Sequence, residues 1–391
     1  MRFSAAGFLT AEGEEEADVC IINSCTVTSV ADAKTRQKIR QARAQNPEAL
    51  VCVIGCFPEV SRGEALGMPE VDIAIGSADK ENTVEVVLRE MRYRGSGGFV
   101  DTHLPLRGVV KKEKKGGLQP AVYLGRTRAY IKVQDGCDRF CAYCVIPFAR
   151  GAVWSKAAGD VLAEAAGLIE AGYRDVVLTG INLALYRDGD VDLYELVKRV
   201  CGLGCGSGRQ NDASWLAKRE CAEAAPTDGG YRGKNVSVAI NDEGGLRRPE
   251  SGGVRVRLGS LEPTVIDAGY AARIAGIKGV FPELHLSLQS GSARTLEAMG
   301  RCYTPEDYAG IVSALRRVNP MFSVTTDVIV GFPGETEADF EESLEFVKSM
   351  GFARVHVFRY SKRPKTRAAE LNGQVSEAEK KERCKRMINS T

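Results

Sequence analysis

The sequence predicts an α/β protein with two parts, an N-terminal doubly wound parallel-sheet domain followed by an open (β/α)6 barrel. Short apolar runs alternate with segments of helical period over residues 18–91, a pattern typical of parallel sheets with helices on their faces. A second alternation, with six strand-like runs, begins at residue 129. The 391 residues are enough for two or three domains with sizeable cores.

The first domain is predicted over residues 1–93. Ligands of open parallel sheets bind beyond the carboxyl ends of the strands, and Cys25 and Cys56 each follow a predicted strand there. We therefore interpret them as a pair of metal ligands. Cys20 and Cys52 lie inside strands, where cysteine acts as a small buried hydrophobic residue. The predicted strands are 18–22, 50–54 and 71–75, and the predicted helices are 30–44 and 80–91.

A basic linker is predicted over residues 94–128, which are rich in glycine, proline and lysine. The barrel is predicted over residues 129–391. Its strand-like runs are 129–133, 175–179, 254–259, 284–288, 323–330 and 355–358, and its helical runs include 158–171, 305–318 and 337–350.

Residues 201–253 interrupt the barrel pattern. They are rich in glycine, serine, asparagine and aspartate and have little periodicity, so we expect a disordered insertion. Cys201, Cys205 and Cys221 fall in this stretch, but no fourth ligand is near them in the sequence, which disfavours a metal site.

Three cysteines with the spacing C-x3-C-x2-C follow the first predicted barrel strand. They are Cys137, Cys141 and Cys144. Three thiolates on one short loop can hold three irons of a [4Fe–4S] cluster, which leaves the fourth iron open. Zinc sites made of four cysteines usually come as two C-x2-C pairs, and no partner pair is next to this run. We expect an iron–sulfur site here.

The charge balance does not by itself indicate a nucleic-acid-binding protein. Lys plus Arg number 53 and Asp plus Glu number 51, so RNA binding would have to come from local patches. One candidate is the set Lys34, Arg36, Lys38, Arg40 and Arg43, for which a solvated helix face is slightly favoured.

The twelve cysteines occur in clusters, which is typical of metal chemistry in a reducing compartment. No apolar run approaches the ~20 residues that cross a bilayer, and residues 1–16 lack the pattern of a signal peptide. We therefore expect a soluble cytoplasmic protein without a membrane partner.

The cysteine run Gly136-Cys137-Asp138-Arg139-Phe140-Cys141-Ala142-Tyr143-Cys144 resembles the radical S-adenosylmethionine (SAM) signature. Further runs are similar to the methylthiotransferase family, and Cys25-Thr26-Val27-Thr28 looks most like the branch that acts on threonylcarbamoyl-adenosine in tRNA. These runs are Asn23-Ser24-Cys25-Thr26-Val27-Thr28, Gly55-Cys56, Leu178-Thr179-Gly180-Ile181-Asn182, Leu261-Glu262-Pro263, residues 287–292 and residues 326–335.

The resemblance implies two [4Fe–4S] clusters and SAM as cofactors. The radical SAM cluster would lie on Cys137, Cys141 and Cys144, and an auxiliary cluster would use Cys25 and Cys56. Six residues at strand ends are candidates for SAM binding, and no catalytic side chain is assigned. They are Gly180, Asn182, Ser260, Glu262, Gln289 and Gly331.

The resemblance also implies a function, the addition of a methylthio group to C2 of N6-threonylcarbamoyladenosine at position 37, in the tRNA anticodon loop. The same chemistry on a ribosomal protein aspartate, or on isopentenyladenosine-37 of tRNA, is an alternative. An inactive iron–sulfur or RNA-binding remnant is another. The family's first strand with its cysteine loop and its C-terminal RNA-binding β-barrel have no counterpart in the sequence, so we expect an incomplete auxiliary site.

Overall fold

The computed structural model describes residue 3 and residues 6–9, 16–95, 127–203 and 253–391. Most of the predicted linker (94–128) and most of the predicted insertion (201–253) lie outside these described residues.

The elements of the described residues follow the predicted alternation. The strands longer than two residues are β1 (Val19–Ser24), β2 (Leu50–Gly55), β3 (Ile73–Gly76), β4 (Arg128–Lys132), β5 (Asp175–Thr179), β6 (Arg255–Leu258), β7 (Glu283–His285), β8 (Ser323–Val330) and β9 (Arg354–Arg359). The α-helices are α1 (Ser29–Gln45), α2 (Cys56–Val60), α3 (Arg62–Leu66), α4 (Thr83–Gly95), α5 (Ile146–Arg150), α6 (Ala158–Glu170), α7 (Leu193–Gly202), α8 (Ala268–Ala275), α9 (Ala293–Met299), α10 (Pro305–Val318), α11 (Glu337–Ser349) and α12 (Glu377–Asn389).

The N-terminal sheet has the order β1-β2-β3 with all strands parallel. Its central strand β2 is buried along its whole length, because apolar layers cover both faces. Val51 and Val53 pack on one face with Ile39 of α1, and Cys52 packs on the other face with Val87 of α4. Layers on both faces confirm the predicted doubly wound arrangement.

The C-terminal domain (residues 127–391) contains two parallel three-stranded sheets, β4-β5-β6 and β7-β8-β9. A parallel bridge between Leu261 and Leu286 joins their adjoining ends, and one apolar core spans both sheets. Every second residue of β8 is buried, as expected for a strand with one face on a core. Six parallel strands in chain order agree with the predicted (β/α)6 fold, and closure into an open barrel stays a prediction.

Two boundaries differ from the prediction. Helix α7 continues to Gly202, so the predicted start of the insertion at residue 201 is wrong. Cys201 is buried because it extends the apolar stripe of α7. Strand β7 ends at His285, earlier than predicted, because the chain beyond it pairs only through isolated bridges and Gln289 has a left-handed backbone, φ +70°.

None of the helices in the described residues is long and apolar enough to cross a membrane.

A buried ion pair attaches the N-terminal sheet to the C-terminal domain. The Arg363 guanidinium, which follows β9 in the chain, donates hydrogen bonds to Thr26 Oγ1 and Asp32 Oδ2, both at 2.6 Å. Arg363 and Asp32 are both more than nine-tenths buried. A smaller apolar contact joins Cys56 and the end of α2 to α5. The two domains are therefore connected close to the carboxyl ends of their strands.

We expect Arg363→Ala to lower the free energy of unfolding by about 3–5 kcal/mol, because the Asp32 carboxylate would stay buried without its partner. Denaturant unfolding followed by circular dichroism measures this loss. The control is the double variant Asp32→Asn with Arg363→Met, which removes both charges and should lose less. A single variant within about 0.5 kcal/mol of the wild type would show that the pair does not hold the domains together.

Candidate radical SAM site

The three-cysteine loop lies directly after β4 and is held by the backbone on several sides. Gly136, before the first cysteine, has φ +74°, and a Cβ there would collide with the backbone of Ala152, so only glycine fits this turn. Within the loop, Cys144 N donates to Cys141 O at 2.9 Å, and Ala142 N donates to Met299 O at 2.8 Å. These bonds set the conformation of the loop before any cluster binds.

The three thiols lie close enough together to interact electrostatically. Burial, with further contributions from Cys141 and Cys137, raises the pKa of the Cys144 thiol to about 12. Burial also raises the pKa of Cys137. Cys137 and Cys144 would therefore hold their protons until a metal replaces them.

The donor set fits a [4Fe–4S] cluster better than a single ion. No group of three metal-binding side chains in the described part of the chain is arranged around one ion. The thiolates of a cubane bind different irons, so they lie farther apart than the ligands of one ion. Three clustered cysteines on a preformed loop meet that requirement.

A buried arginine that the sequence analysis missed connects this loop to the neighbouring strands. Arg301 Nη1 lies 2.8 Å from Glu262 Oε1 and 3.4 Å from Cys141 Sγ. Its Nη2 reaches Ser287 O at 3.4 Å, and its Nε reaches the Tyr303 hydroxyl at 3.3 Å. Its side chain is only 4% exposed. Nothing in the single sequence distinguishes Arg301 from a surface arginine, since its partners lie far away along the chain.

Glu262 is a member of a buried network rather than an exposed loop carboxylate. Its Oε2 accepts a hydrogen bond from Asn182 Nδ2 at 2.7 Å, and its Oε1 accepts one from Thr264 Oγ1 at 2.7 Å. Asn182 is buried, and its Oδ1 has no hydrogen-bond partner among the described residues. An unpaired buried acceptor at this position suits a ligand with hydroxyl or amino donors, such as a nucleoside.

Gln134, which follows β4, is a second side chain that the sequence analysis missed. It is fully buried, and its Oε1 accepts hydrogen bonds from Ile181 N and Asn182 N, both at 2.9 Å. A Cβ at Gly180 would lie 2.7 Å from this Oε1. Close packing against Gln134 is therefore a sufficient reason for glycine at position 180. A contact of Gly180 with SAM stays a prediction.

The other candidate SAM residues also lie at strand ends. Ser260 O accepts a hydrogen bond from Leu183 N at 3.3 Å, and Gln289 N donates to Asp327 O at 2.8 Å. Gly331 has φ +73°, and a Cβ there would collide with Lys380. These contacts hold the backbone at the three positions, and direct binding of SAM by Ser260, Gln289 or Gly331 stays a prediction.

The two N-terminal candidate ligands are neighbours across the sheet. Ser24 pairs with Gly55 in the parallel register, so Cys25 and Cys56 each lie one residue beyond the same pair. Cys25 is exposed and Cys56 is buried, with the hydroxyl of Ser77 3.6 Å from Cys56 Sγ. Their role as cluster ligands stays a prediction.

The strand cysteines are packed in the core, as predicted. Cys52 is fully buried, and burial followed by the nearby Asp72 carboxylate raises the pKa of its thiol to about 12. Cys20 packs against the core on the opposite face of the sheet.

Three of the five cationic residues on α1 pair with carboxylates of the same domain. Arg36 lies 2.7 Å from Glu64, and Arg43 lies 2.6 Å from Asp72. Arg40 lies 3.8 Å from Glu70. This pairing agrees with the predicted solvated face, and contact between RNA and Lys34, Lys38 or the three arginines stays a prediction.

Comparison with known proteins agrees with this arrangement. A model described as the radical SAM superfamily matches residues 131–347, and a model described as uncharacterized protein family UPF0004 matches residues 1–76. The structure of the radical SAM methyltransferase TsrM from Kitasatospora setae shares the fold, with a TM-score of 0.54 and 16% identity over 91% of this chain and 66% of that chain. The fold and the cysteine loop define a radical SAM protein, whose cofactors are a [4Fe–4S] cluster and SAM.

Curated relatives identify a family within the radical SAM class. The threonylcarbamoyladenosine tRNA methylthiotransferase MtaB of Bacillus subtilis (strain 168) is 34% identical over 99% of this chain and 74% of its own length. MtaB of Aquifex aeolicus is 33% identical over 98% of this chain and 81% of its own length. The chain belongs to this family of methylthiotransferases.

Because the pKa of Cys144 is about 12 in the metal-free protein, we expect its thiol to be alkylated slowly. Near neutral pH its thiolate fraction is very small, on the order of 10⁻⁴ at about pH 8, and it rises about tenfold with each pH unit until the pH reaches the pKa. Iodoacetamide labelling followed by mass spectrometry measures the rate. Exposed Cys302 is the internal comparison, and equal labelling rates at about pH 8 would contradict the buried position of Cys144.

Proposed function

We propose that the chain adds a methylthio group to C2 of N6-threonylcarbamoyladenosine at position 37 of tRNA. The observation that carries this proposal is the three-cysteine loop joined to the buried Arg301–Glu262 pair. It occurs in a chain that aligns over nearly its full length with relatives that bear the name of this reaction. Because the substrate is tRNA, we expect the protein to work in the cytoplasm.

Cys137, Cys141 and Cys144 would hold the radical SAM cluster, and Asn182 and Glu262 would face the nucleoside part of SAM. When bound, the cluster supplies the electron that cleaves SAM. Glu262 cannot shift freely, since Asn182, Thr264 and Arg301 all hold its carboxylate. Arg301 keeps a positive charge next to Cys141 Sγ, beside the place where the thiolates of a bound cluster would lie.

An auxiliary cluster on Cys25 and Cys56 is part of the proposal. Its support is the shared register of the two cysteines and the contact of Cys56 with α5, the helix that follows the three-cysteine loop. An auxiliary site at Cys56 would therefore lie on the side of the N-terminal sheet that is next to α5. The sulfur to be transferred would be held there, close to the target base.

We propose the anticodon loop as the part of tRNA that binds. Bases of an RNA duplex are stacked and paired, whereas loop bases can be turned outward into a protein site. A base that reacts at C2 must leave the stack for its edge to reach the strand ends of the C-terminal domain.

Analysis of tRNA nucleosides by mass spectrometry tests the proposed reaction. The chain is expressed in a bacterial host whose own methylthiotransferases have been deleted. We expect 2-methylthio-N6-threonylcarbamoyladenosine to appear in its tRNA. The proposal would be contradicted by a methylthio group on isopentenyladenosine, by one on a ribosomal protein aspartate, or by the absence of any methylthiolated product. Each of these results would support one of the alternatives.

We expect Cys141→Ala to lose the radical SAM cluster and to form 5′-deoxyadenosine only at background level, because two thiolates hold a cubane poorly. Iron content after anaerobic reconstitution and an assay for 5′-deoxyadenosine measure the two effects. The control is Cys384→Ala, which removes a partly buried cysteine on α12. Iron content and product equal to the wild type in Cys141→Ala would refute the assignment of the three ligands.

A further inference from the structure

Two phenylalanines next to the radical SAM site form an exposed aromatic pair. The rings of Phe140 and Phe148 meet edge to face, with 5.8 Å between their centroids. Phe140 is 54% exposed and Phe148 is 40% exposed, although burial of such side chains favours folding. Phe140 also has φ +47°, a backbone conformation that residues other than glycine seldom adopt. A strained, exposed aromatic residue beside a reaction site indicates a binding surface.

The pair lies where the two domains meet. Phe140 is part of the three-cysteine loop, and Phe148 is part of α5. Val145, which precedes α5, and Ala149 of α5 pack against Cys56 and Val60 of the N-terminal domain. The exposed rings are therefore next to the contact that brings Cys56 towards the three-cysteine loop.

Positive side chains lie in the same part of the fold as this pair. Arg139 precedes Phe140, and Arg150 ends the helix that carries Phe148. Lys132 and Arg150 both contact Asp135, the latter at 3.6 Å. Burial lowers the pKa of Lys80, and the charges of Arg150 and Lys132 lower it further, which shows that these cations share one positive region.

Two carboxylates face these cations. Asp135 faces Lys132 and Arg150, and Asp138 lies 4.0 Å from Arg139. The four cations outnumber these two carboxylates. In addition, Arg150 Nε is buried without a hydrogen-bond partner among the described residues.

We propose that Phe140 and Phe148 form a stacking platform for an unpaired nucleotide of the RNA substrate, with Lys80, Lys132, Arg139 and Arg150 contacting its phosphates. This inference rests on the proposed function. Aromatic side chains beside a cationic groove are the usual means of binding single-stranded nucleic acid, since every base has a face that can stack. The cations supply the attraction to phosphate that the chain as a whole lacks.

Binding of a fluorescently labelled RNA hairpin to the reconstituted chain, measured by anisotropy at fixed salt, tests the platform. We expect Phe148→Ala to raise the Kd about 5- to 150-fold, the range found for the loss of one stacked base. Phe148→Trp should keep the wild-type affinity. Phe148→Leu, which keeps an apolar side chain of similar size, should lose affinity for the hairpin. Iron content and circular dichroism check that each variant is folded. If Phe148→Ala is not folded, the comparison of Phe148→Trp with Phe148→Leu decides whether the platform exists.

The matched control is Met321→Ala. Met321 is 82% exposed and precedes β8, at the opposite ends of the strands from the three-cysteine loop. Its removal should leave the Kd for RNA unchanged. Equal affinity of the wild type and Phe148→Leu would overturn the platform, because apolar contact without stacking, as in a protein interface, would then be sufficient. Equal affinity of the wild type for the hairpin and for a fully paired duplex would overturn it as well.

The cations give an independent measurement. For single-stranded RNA, Lys132→Gln or Arg150→Gln should each reduce the slope of log K against log salt by about 0.7. An unchanged slope would overturn the phosphate contacts. If methylthiolated tRNA forms in cells but Phe148→Ala binds the hairpin as tightly as the wild type, the platform is wrong while the proposed function stands. If no methylthiolated tRNA forms but Phe148→Ala weakens RNA binding, the proposed function fails and the platform remains.

Discussion

A guanidinium group can be buried only if its donors and its charge find partners, and Arg301 meets this requirement by contacting groups from several strand ends. Its partners are Glu262 after β6, Ser287 after β7 and Cys141 in the loop after β4. The same side chain therefore sets the distance between a proposed cluster ligand and the carboxylate expected to face SAM. The conformation of the site depends on this one charged group more than on any single loop.

The parallel strands make this arrangement possible. Their carboxyl ends meet at one edge, so residues that are remote in the chain become neighbours there. Gln134 after β4 uses the same edge to hold the backbone of Ile181 and Asn182 after β5. Arg363, which follows β9, extends the connection to the N-terminal sheet through Thr26 and Asp32. Polar side chains at strand ends thus join two domains and three loops into one site.

The glycines of the site illustrate how one pattern can have two physical causes. From the sequence, Gly180 and Gly331 are candidates for SAM binding. In the structure, the space beside Gly180 is occupied by Gln134, and the space beside Gly331 is occupied by Lys380. Close packing between protein elements is a sufficient reason for both. Gly136 differs, because its positive φ and its contact with the Ala152 backbone together require glycine at the entrance to the three-cysteine loop.

The sequence by itself determined the order of strands and helices, the three-cysteine loop and the two cysteines that share a register, because local periodicity and spacing encode them. Only the tertiary structure decided which polar groups meet. Cys141 and Arg301 are 160 residues apart in the chain, and Asp32 and Arg363 are 331 residues apart. No local pattern distinguishes Asp32, Arg301 or Arg363 from solvated surface charges. Their roles arise because folding removes water from these polar groups, so that each becomes the partner of another.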